Sequence, residues 1–334
     1  MATLADVARA AGVSKSTASR ALAGHLVASG TRERVLAVAR ELDYVASPAA
    51  VSLATGKSGM IAAIVPACNT WFTGTLLDGI AEAALELDYD VVLYNLGELG
   101  TRRRRAFDHF QRRKHVDAVV SGNFALTADE IEQLREMRMP VAGVGEATDG
   151  IRTWCLDDVA AGRIATEHLI GLGHRQIHFV GGRRTTDRSL YAAEDARLRG
   201  YAAALAAAGL ARPRELRLDP DFTSAYAAGR EIFATARHPR ALYAATDDIA
   251  LGLVLAARDT GLDVPGDVSV VGTDDQLLAG PFGLTTLRQR PADQGSEIVR
   301  WLAGEIDHPT HRHSHTWVAP ELVVRSTTAA PSER

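Results

Sequence analysis

The chain has 334 residues, 46% of them hydrophobic, with 37 Lys and Arg against 41 Asp and Glu and a formal net charge of −4. That length and apolar content support two or three domains with a sizeable core, and a mildly acidic whole excludes indiscriminate nucleic-acid binding by bulk charge. No run of about 18 apolar residues occurs, and the opening MATLADVARA is not a basic segment followed by an apolar one, so a soluble cytoplasmic protein is expected.

The first elements read as three short helices. Leu4, Val7, Ala8 and Ala11 share one helical face. Thr3 can cap that helix, and Asp6 lies in its first turn, where negative charge suits the helix dipole. Gly12 follows, where a helix end accepts positive φ. Val13 can plug the gap, and Ser14 can cap a second helix beginning at Lys15. Ala18, Ala21 and Leu22 share a face of it, while Lys15, Ser16, Ser19 and Arg20 point elsewhere. Small residues at Ala8, Ala11 and Ala18 let the two helices approach closely, which is a helix-turn-helix. Lys15, Ser16, Thr17, Ser19 and Arg20 are the candidate DNA-reading set; Arg and Lys suit guanine, and Ser suits several base edges. A third helix is expected at about 30–43, with Val35, Leu36, Val38, Ala39 and Leu42 available to cover the pair and Tyr44 closing the small core. Residues 1–58 hold seven Lys/Arg and four Asp/Glu, so a basic headpiece precedes a body of net charge −7.

Residues 45–59, VASPAAVSLATGKSG, read as a linker with a short conditional helix at about 48–55. From 60 onward strands and helices alternate. Strands are expected at 60–67, 90–96, 117–121, 140–145, 176–180, 241–246 and 268–272. Helices are expected at 74–87, 102–114, 127–138, 159–172, 190–209 and 248–261, and TWVAPELVVR is expected to be one closing strand. Such alternation argues for doubly wound parallel sheets in two lobes, with a ligand cleft beyond the carboxyl ends of the strands. Polar residues cluster at those ends: Asn69, Asp157, Asp158, Thr246, Asp247, Asp248, Asp274, Asp275 and Gln289. Asp and Arg side chains make paired hydrogen bonds that suit sugar hydroxyls. Trp71 and Phe72 can form an apolar or stacking wall. Asp158 and Asp247 also suit helix caps.

Other features read as ordinary structure. The basic stretch 101–117, TRRRRAFDHFQRRKHVD, puts Ala106, Phe107 and Phe110 on one face, as a surface helix does. His308, His311, His313 and His315 sit in a polar loop without cysteine partners, so no metal site is expected. Cys68 and Cys155 read as free buried thiols. No catalytic motif, phosphate loop or dinucleotide fingerprint is present, so neither an enzyme nor a cofactor is expected.

Five stretches carry a resemblance: ATLADVARAAGVSKSTASRALAG (2–24), HLIGLGHRQIHFVGG (168–182), DARLRGYAAALAAAGL (195–210), VPGDVSVVGTDD (264–275) and LTTLRQ (284–289). In that order they resemble the LacI/GalR family of bacterial transcription regulators. The resemblance implies a helix-turn-helix headpiece at 1–45, a hinge at 46–59, a periplasmic-binding-protein-like core of two lobes at 60–328 joined by three crossings, and a tail at 329–334. It implies a hinge helix that forms on operator DNA, with Leu53 as the wedge in the minor groove. Ala46 stands where the family usually has Pro, and Val51 where it has Arg. Arg197, Thr246 and Asp274 are the foremost effector contacts so implied, with Trp71 and Phe72 next. Thr246 and Gly145 stand where the family often has Asn and Asp, and Glu146 is the nearest acid to the latter. With no C-terminal leucine heptads, a homodimer on an inverted-repeat operator is the simplest expectation. The function expected is a repressor controlled by a small effector, foremost a sugar. The alternatives are a purine-type corepressor-dependent regulator and a sugar-binding protein with no DNA role.

Overall fold

A computed structural model of the chain describes residues 2–22, 27–44, 52, 55–96, 101–113, 115–182, 192–211, 215–235, 238–310 and 313–332. The headpiece holds α1 (Leu4–Ala10), α2 (Lys15–Leu22) and α3 (Ser29–Glu41). Thr3 and Asp6 form a reciprocal capping box, with Asp6 N donating to Thr3 Oγ1 at 3.3 Å and Thr3 N to Asp6 Oδ2 at 3.0 Å. Gly12 takes φ 67°, which only glycine adopts at no cost, and turns the chain into α2. Ser14 Oγ then accepts from Thr17 N at 3.1 Å. Val7, Ala8, Ala11, Ala18, Ala21, Val35 and Ala39 form the core, with Val13, Leu22, Val38 and Tyr44 packed against it. Leu42, expected in that core, is exposed, because α3 ends at Glu41 and the chain turns there. Of the expected hinge helix only Ser52 and Thr55 fall among the described residues; Leu53 lies outside them.

The core follows as β1 (Met60–Val65), α4 (Trp71–Glu86), β2 (Asp90–Asn95), α5 (Thr101–Arg113), β3 (Ala118–Gly122), α6 (Ala128–Glu136), β4 (Val141–Val144) and β5 (Arg152–Leu156). Next come α7 (Asp158–Gly171), β6 (His178–Gly182), α8 (Ala192–Ala207), β7 (Leu216–Leu218), α9 (Phe222–Phe233), β8 (Ala241–Ala244), α10 (Asp247–Asp259) and β9 (Ser269–Asp274). The chain closes with α11 (Ala279–Phe282), β10 (Thr285–Arg288), α12 (Pro291–Asp307), β11 (His315–Val318) and β12 (Glu321–Val323). One sheet has the order β11-β5-β4-β3-β1-β2, and the other β12-β10-β9-β8-β6-β7. Every pairing is parallel except β10 with β12.

The chain passes between the sheets three times: after β5, between β10 and α12, and between β11 and β12. The expected single strand TWVAPELVVR is therefore two strands in different sheets. Pro320 separates them, because it lacks an N–H and cannot continue the ladder. β5, β7, α9, α11, β10 and α12 lie where no element was expected. α4 begins three residues earlier than expected, because the Thr70 hydroxyl caps it by accepting from Thr73 N at 3.3 Å. Cys155 is buried as expected, but Cys68 is only half-buried.

Glycines set the tightest helix contacts. A Cβ on Gly162 of α7 would overlap the Arg197 carbonyl of α8, and one on Gly200 the Val159 carbonyl. In the first lobe Gly79 of α4 faces Ala292 of α12, and Gly295 faces Leu76, in the same reciprocal way. The helices that flank the crossings are thus locked at backbone distance to their neighbours.

Candidate functional site

α2 is built to show one face. Ala18 and Ala21 are buried, Lys15, Ser16 and Arg20 are exposed, and Thr17 and Ser19 lie between. Ser14 Oγ sits 2.9 Å from Ser16 Oγ and 2.8 Å from Thr17 Oγ1, which fixes the helix start. Arg20 Nε donates to Ser16 O at 3.4 Å, and the side chain is exposed. Cations and hydroxyls on an exposed helix N-terminal half have the chemistry of base-edge reading.

A cavity of about 440 Å³ lies between the lobes. Glu146 after β4, Leu156 at the end of β5 and Trp317 of β11 come from one side; Asp158 of α7 and Asp195 and Arg199 of α8 come from the other. Burial, with Asp158 nearby, pushes the Glu146 carboxyl up to about 7, against the pull of Arg199. Trp317 is 57% exposed at this wall.

Arg197, Thr246 and Asp274 come together at the carboxyl ends of the second sheet. Arg197 is only 6% exposed, and its guanidinium donates to Asp158 Oδ1 at 2.7 Å and to Ala245 O at 2.6 Å. Burial drives the Asp158 carboxyl above its usual range, and Arg197 opposes it. Thr246 caps α10. The caps are therefore Thr246 and Asp157, one residue before the expected Asp247 and Asp158. Asp274, at φ 144°, accepts from Asp247 N at 3.3 Å and from Gln289 Nε2 at 2.7 Å. Asp247 accepts from Thr286 Oγ1 at 2.6 Å and from Gln276 N at 3.1 Å. Burial, with the Asp247 charge beside it, raises Asp274 to about 8. Burial raises Asp247 to about 7. Burial and the charge of a neighbouring carboxylate thus push both carboxyls in the same direction, above the usual carboxylate range.

Trp71 and Phe72 stand in the first turn of α4, in the other lobe. Phe72 packs on that lobe's core, and neither residue lines the 440 Å³ cavity. Sequence reasoning missed Arg199, Asp195 and Trp317 as cavity residues. Arg199 and Asp195 flank the expected Arg197 on the same helix. Trp317 arrives from a strand more than 150 residues beyond β5 and carried no local signal. His315, expected in a loop, lies in β11, with Nδ1 2.6 Å from Thr153 Oγ1. Among the described residues no group of three His, Cys, Asp or Glu side chains could hold a metal ion, and no helix is long and apolar enough to cross a membrane.

The family description "Bacterial regulatory proteins, lacI family" matches residues 3–47, and "Periplasmic binding protein-like domain" matches residues 166–328. The chain is 30% identical to the HTH-type transcriptional repressor PurR of Vibrio campbellii over 98% of each chain. It belongs to the LacI/GalR family. It is also 30% identical to catabolite control protein A of Priestia megaterium, over 92% of this chain and 93% of that one. A structure of the Lac repressor dimer bound to operator and the anti-inducer ONPF superposes with a TM-score of 0.85 at 26% identity, over 98% of this chain and 99% of that one. A transcriptional regulator CelR–cellobiose complex superposes at 0.70 with 29% identity, over 98% and 100%. The LacI/GalR assignment makes the chain a DNA-binding transcription repressor with an effector-binding core, and the relatives are regulators rather than enzymes.

Proposed function

We propose that this LacI/GalR regulator acts in the cytoplasm as a homodimer, represses from an inverted-repeat operator, and is switched by a small hydroxyl-rich effector, foremost a sugar. The observation that carries this is the cavity between the lobes. Its volume of about 440 Å³ lies within the range of small-molecule sites, and carboxylates and a guanidinium from both lobes line it. Such groups pair with hydroxyls, and a ligand touching both lobes favours the closed state over the open one. Glu146, Asp158 and Arg199 form the cavity side of the site. Arg197, Thr246 and Asp274 lie outside that lining, and Arg197 joins it through its bond to Asp158; together with Trp71 and Phe72 of the first lobe they are the contacts that the family resemblance adds. The CelR–cellobiose relative supports a sugar. In the headpiece Lys15, Ser16, Thr17, Ser19 and Arg20 read base edges, and Leu53 wedges the operator centre.

One observation favours a second reading. Trp317 presents an exposed indole at the cavity, which suits stacking on a planar base, and the PurR relatives fit a purine corepressor. A thermal-shift series with monosaccharides, disaccharides and nucleobases separates the two, because a ligand of the native state raises the unfolding temperature. Stabilisation by nucleobases alone would discard the sugar reading. On the DNA side, Arg20→Ala should cost about 1–3 kcal/mol and relax one base position per half-site. Unchanged affinity and base preference would remove α2 from the groove.

A further inference from the structure

The chain from the headpiece enters the core just before β1, and the core grips it there from two sides. Asp117, just before β3, accepts from Ser58 N and Gly59 N at 2.8 Å each, and its own N–H donates to Met60 O at 2.7 Å. This holds the backbone at one point. One residue earlier, Lys57 reaches away to Asp307, the last residue of α12, and its Nζ forms a hydrogen-bonded ion pair with Asp307 Oδ1. Thr55 folds the chain at the lysine: its Oγ1 accepts from Lys57 N at 3.2 Å and donates to Lys57 O at 3.4 Å. A single anchor fixes a position; a second one, from a separate element, also fixes a direction. The two side chains are 43% and 53% exposed, and an ion pair that open to water adds little to folding.

What the pair joins gives it a use. α12 begins at Pro291, directly after the second crossing, and its 17 residues span about 25 Å to Asp307. β11 follows α12 and runs parallel to β5, so the helix travels from the cleft end of the first sheet to the end where the strands start. It is held along that length. Ser296 Oγ donates to Gly79 O at 3.0 Å, and Arg300 Nη2 to Glu86 at 2.9 Å, both on α4. Just before its first turn, Arg290 lies 3.5 Å from Glu321 of β12, which also accepts from Arg288 of β10 at 2.8 Å. Asp307 therefore fastens the incoming chain to the helix that starts at the crossing.

We infer that Asp307 is a positioning residue for operator binding: through Lys57 it sets the direction in which the chain leaves the core for the headpiece. The inference rests on the family's DNA-binding role and makes no use of the effector. Asp307 need not touch DNA, since a carboxylate repels phosphate; it acts by restricting the segment that carries the headpiece, which lowers the ordering cost of binding.

The test uses the full-length protein and a duplex that the wild type selects from a random-sequence pool. Binding is followed by fluorescence anisotropy across a salt series. Asp307→Lys and Lys57→Glu should each weaken binding about fivefold or more, and the two together should return to within about twofold of the wild type. The salt slope should stay the same throughout, because each lost phosphate contact would lower it by about 0.9. The sign for Asp307→Lys is the decisive reading. A cation added near DNA tightens binding by attraction alone, so wild-type or tighter binding by this variant overturns the inference. A Lys57→Glu loss that Asp307→Lys does not rescue, with a shallower slope, overturns it too, since Lys57 would then hold phosphate itself. Should Asp307→Lys unfold at a lower temperature than the wild type, Asp307→Asn decides the matter: the expected result is a loss of about two- to fivefold at an unchanged slope, and unchanged affinity ends the proposal. Arg20→Ala in the same assay should relax base preference, which tests the headpiece separately.

Discussion

Arg197 of α8 donates to Asp158 of α7 at 2.7 Å, and both side chains are buried. Asp158 is the first helical residue after the chain's first crossing, so the pair fastens α8 to that crossing. An effector that engages Arg197 must share it with Asp158. Arg197→Ala should then do more than abolish the effector response. It leaves a buried carboxylate without its cation, which costs about 3–5 kcal/mol. Pairing Arg197→Met with Asp158→Leu should restore much of that loss, since an apolar pair of similar volume often replaces a buried ion pair at little cost. Thermal unfolding of the three proteins measures this. A wild-type unfolding temperature for Arg197→Ala would mean that the pair does not hold the crossing.

The Asp247–Asp274 pair gives stability a pH dependence. Both carboxyls sit above the unfolded value of 3.8, Asp247 at about 7 and Asp274 at about 8. Above about pH 4 the folded state thus binds more protons than the unfolded chain, so stability falls as pH rises and the loss is complete only above about pH 8. Burial lowers His168 and His174, whose effect runs the other way but ends near their unfolded value of 6.5. The unfolding temperature should therefore decline from about pH 7 to about pH 8.5, and Asp274→Asn should flatten the decline. A decline of the same slope in both proteins would assign it to other groups.

The glycine contacts predict a contrast between helix positions. Gly162→Ala would drive a methyl into the Arg197 carbonyl, and Gly79→Ala into that of Ala292, so the backbone must move. Overpacking of this kind costs about 1–3 kcal/mol or more. Gly74 of α4 has open space around it, so Gly74→Ala should be neutral or stabilise by about 0.5–1 kcal/mol. Urea unfolding of the three variants reads the contrast, and similar midpoints would show that the helix pairs are looser than drawn.

Thiol chemistry should distinguish the two cysteines. Cys155 lines the cavity, and burial pushes its thiol up to about 11. The thiolate is the reactive form, so iodoacetamide at neutral pH should alkylate half-buried Cys68 and spare Cys155. Peptide mass analysis gives the order of modification. Faster alkylation of Cys155 would show that the cavity wall opens in solution.

The sequence by itself determined what depends on near neighbours. Thr3, Asp6, Gly12 and Ser14 mark the ends of α1 and α2 through hydrogen bonds that span three residues, and the apolar spacing of Val7, Ala8, Ala18 and Ala21 sets the face that is buried. The strand–helix alternation likewise specified parallel sheets, and motifs in series placed the chain in its family. What tertiary structure decided was every feature made by distant segments. TWVAPELVVR reads as one strand because local pattern cannot say that Trp317 joins β5 while Leu322 joins β10. α12 shows no sign in its own sequence that it packs on α4, more than 200 residues away. The cavity follows the same rule. Asp274 could be picked out as a polar residue at a strand end and Arg197 through the family resemblance, but their partners Asp158 and Asp247 read as caps. Only burial turned those expected caps into members of an ion pair and of a buried carboxyl pair, because the cost of a charge depends on the water that the assembled lobes exclude.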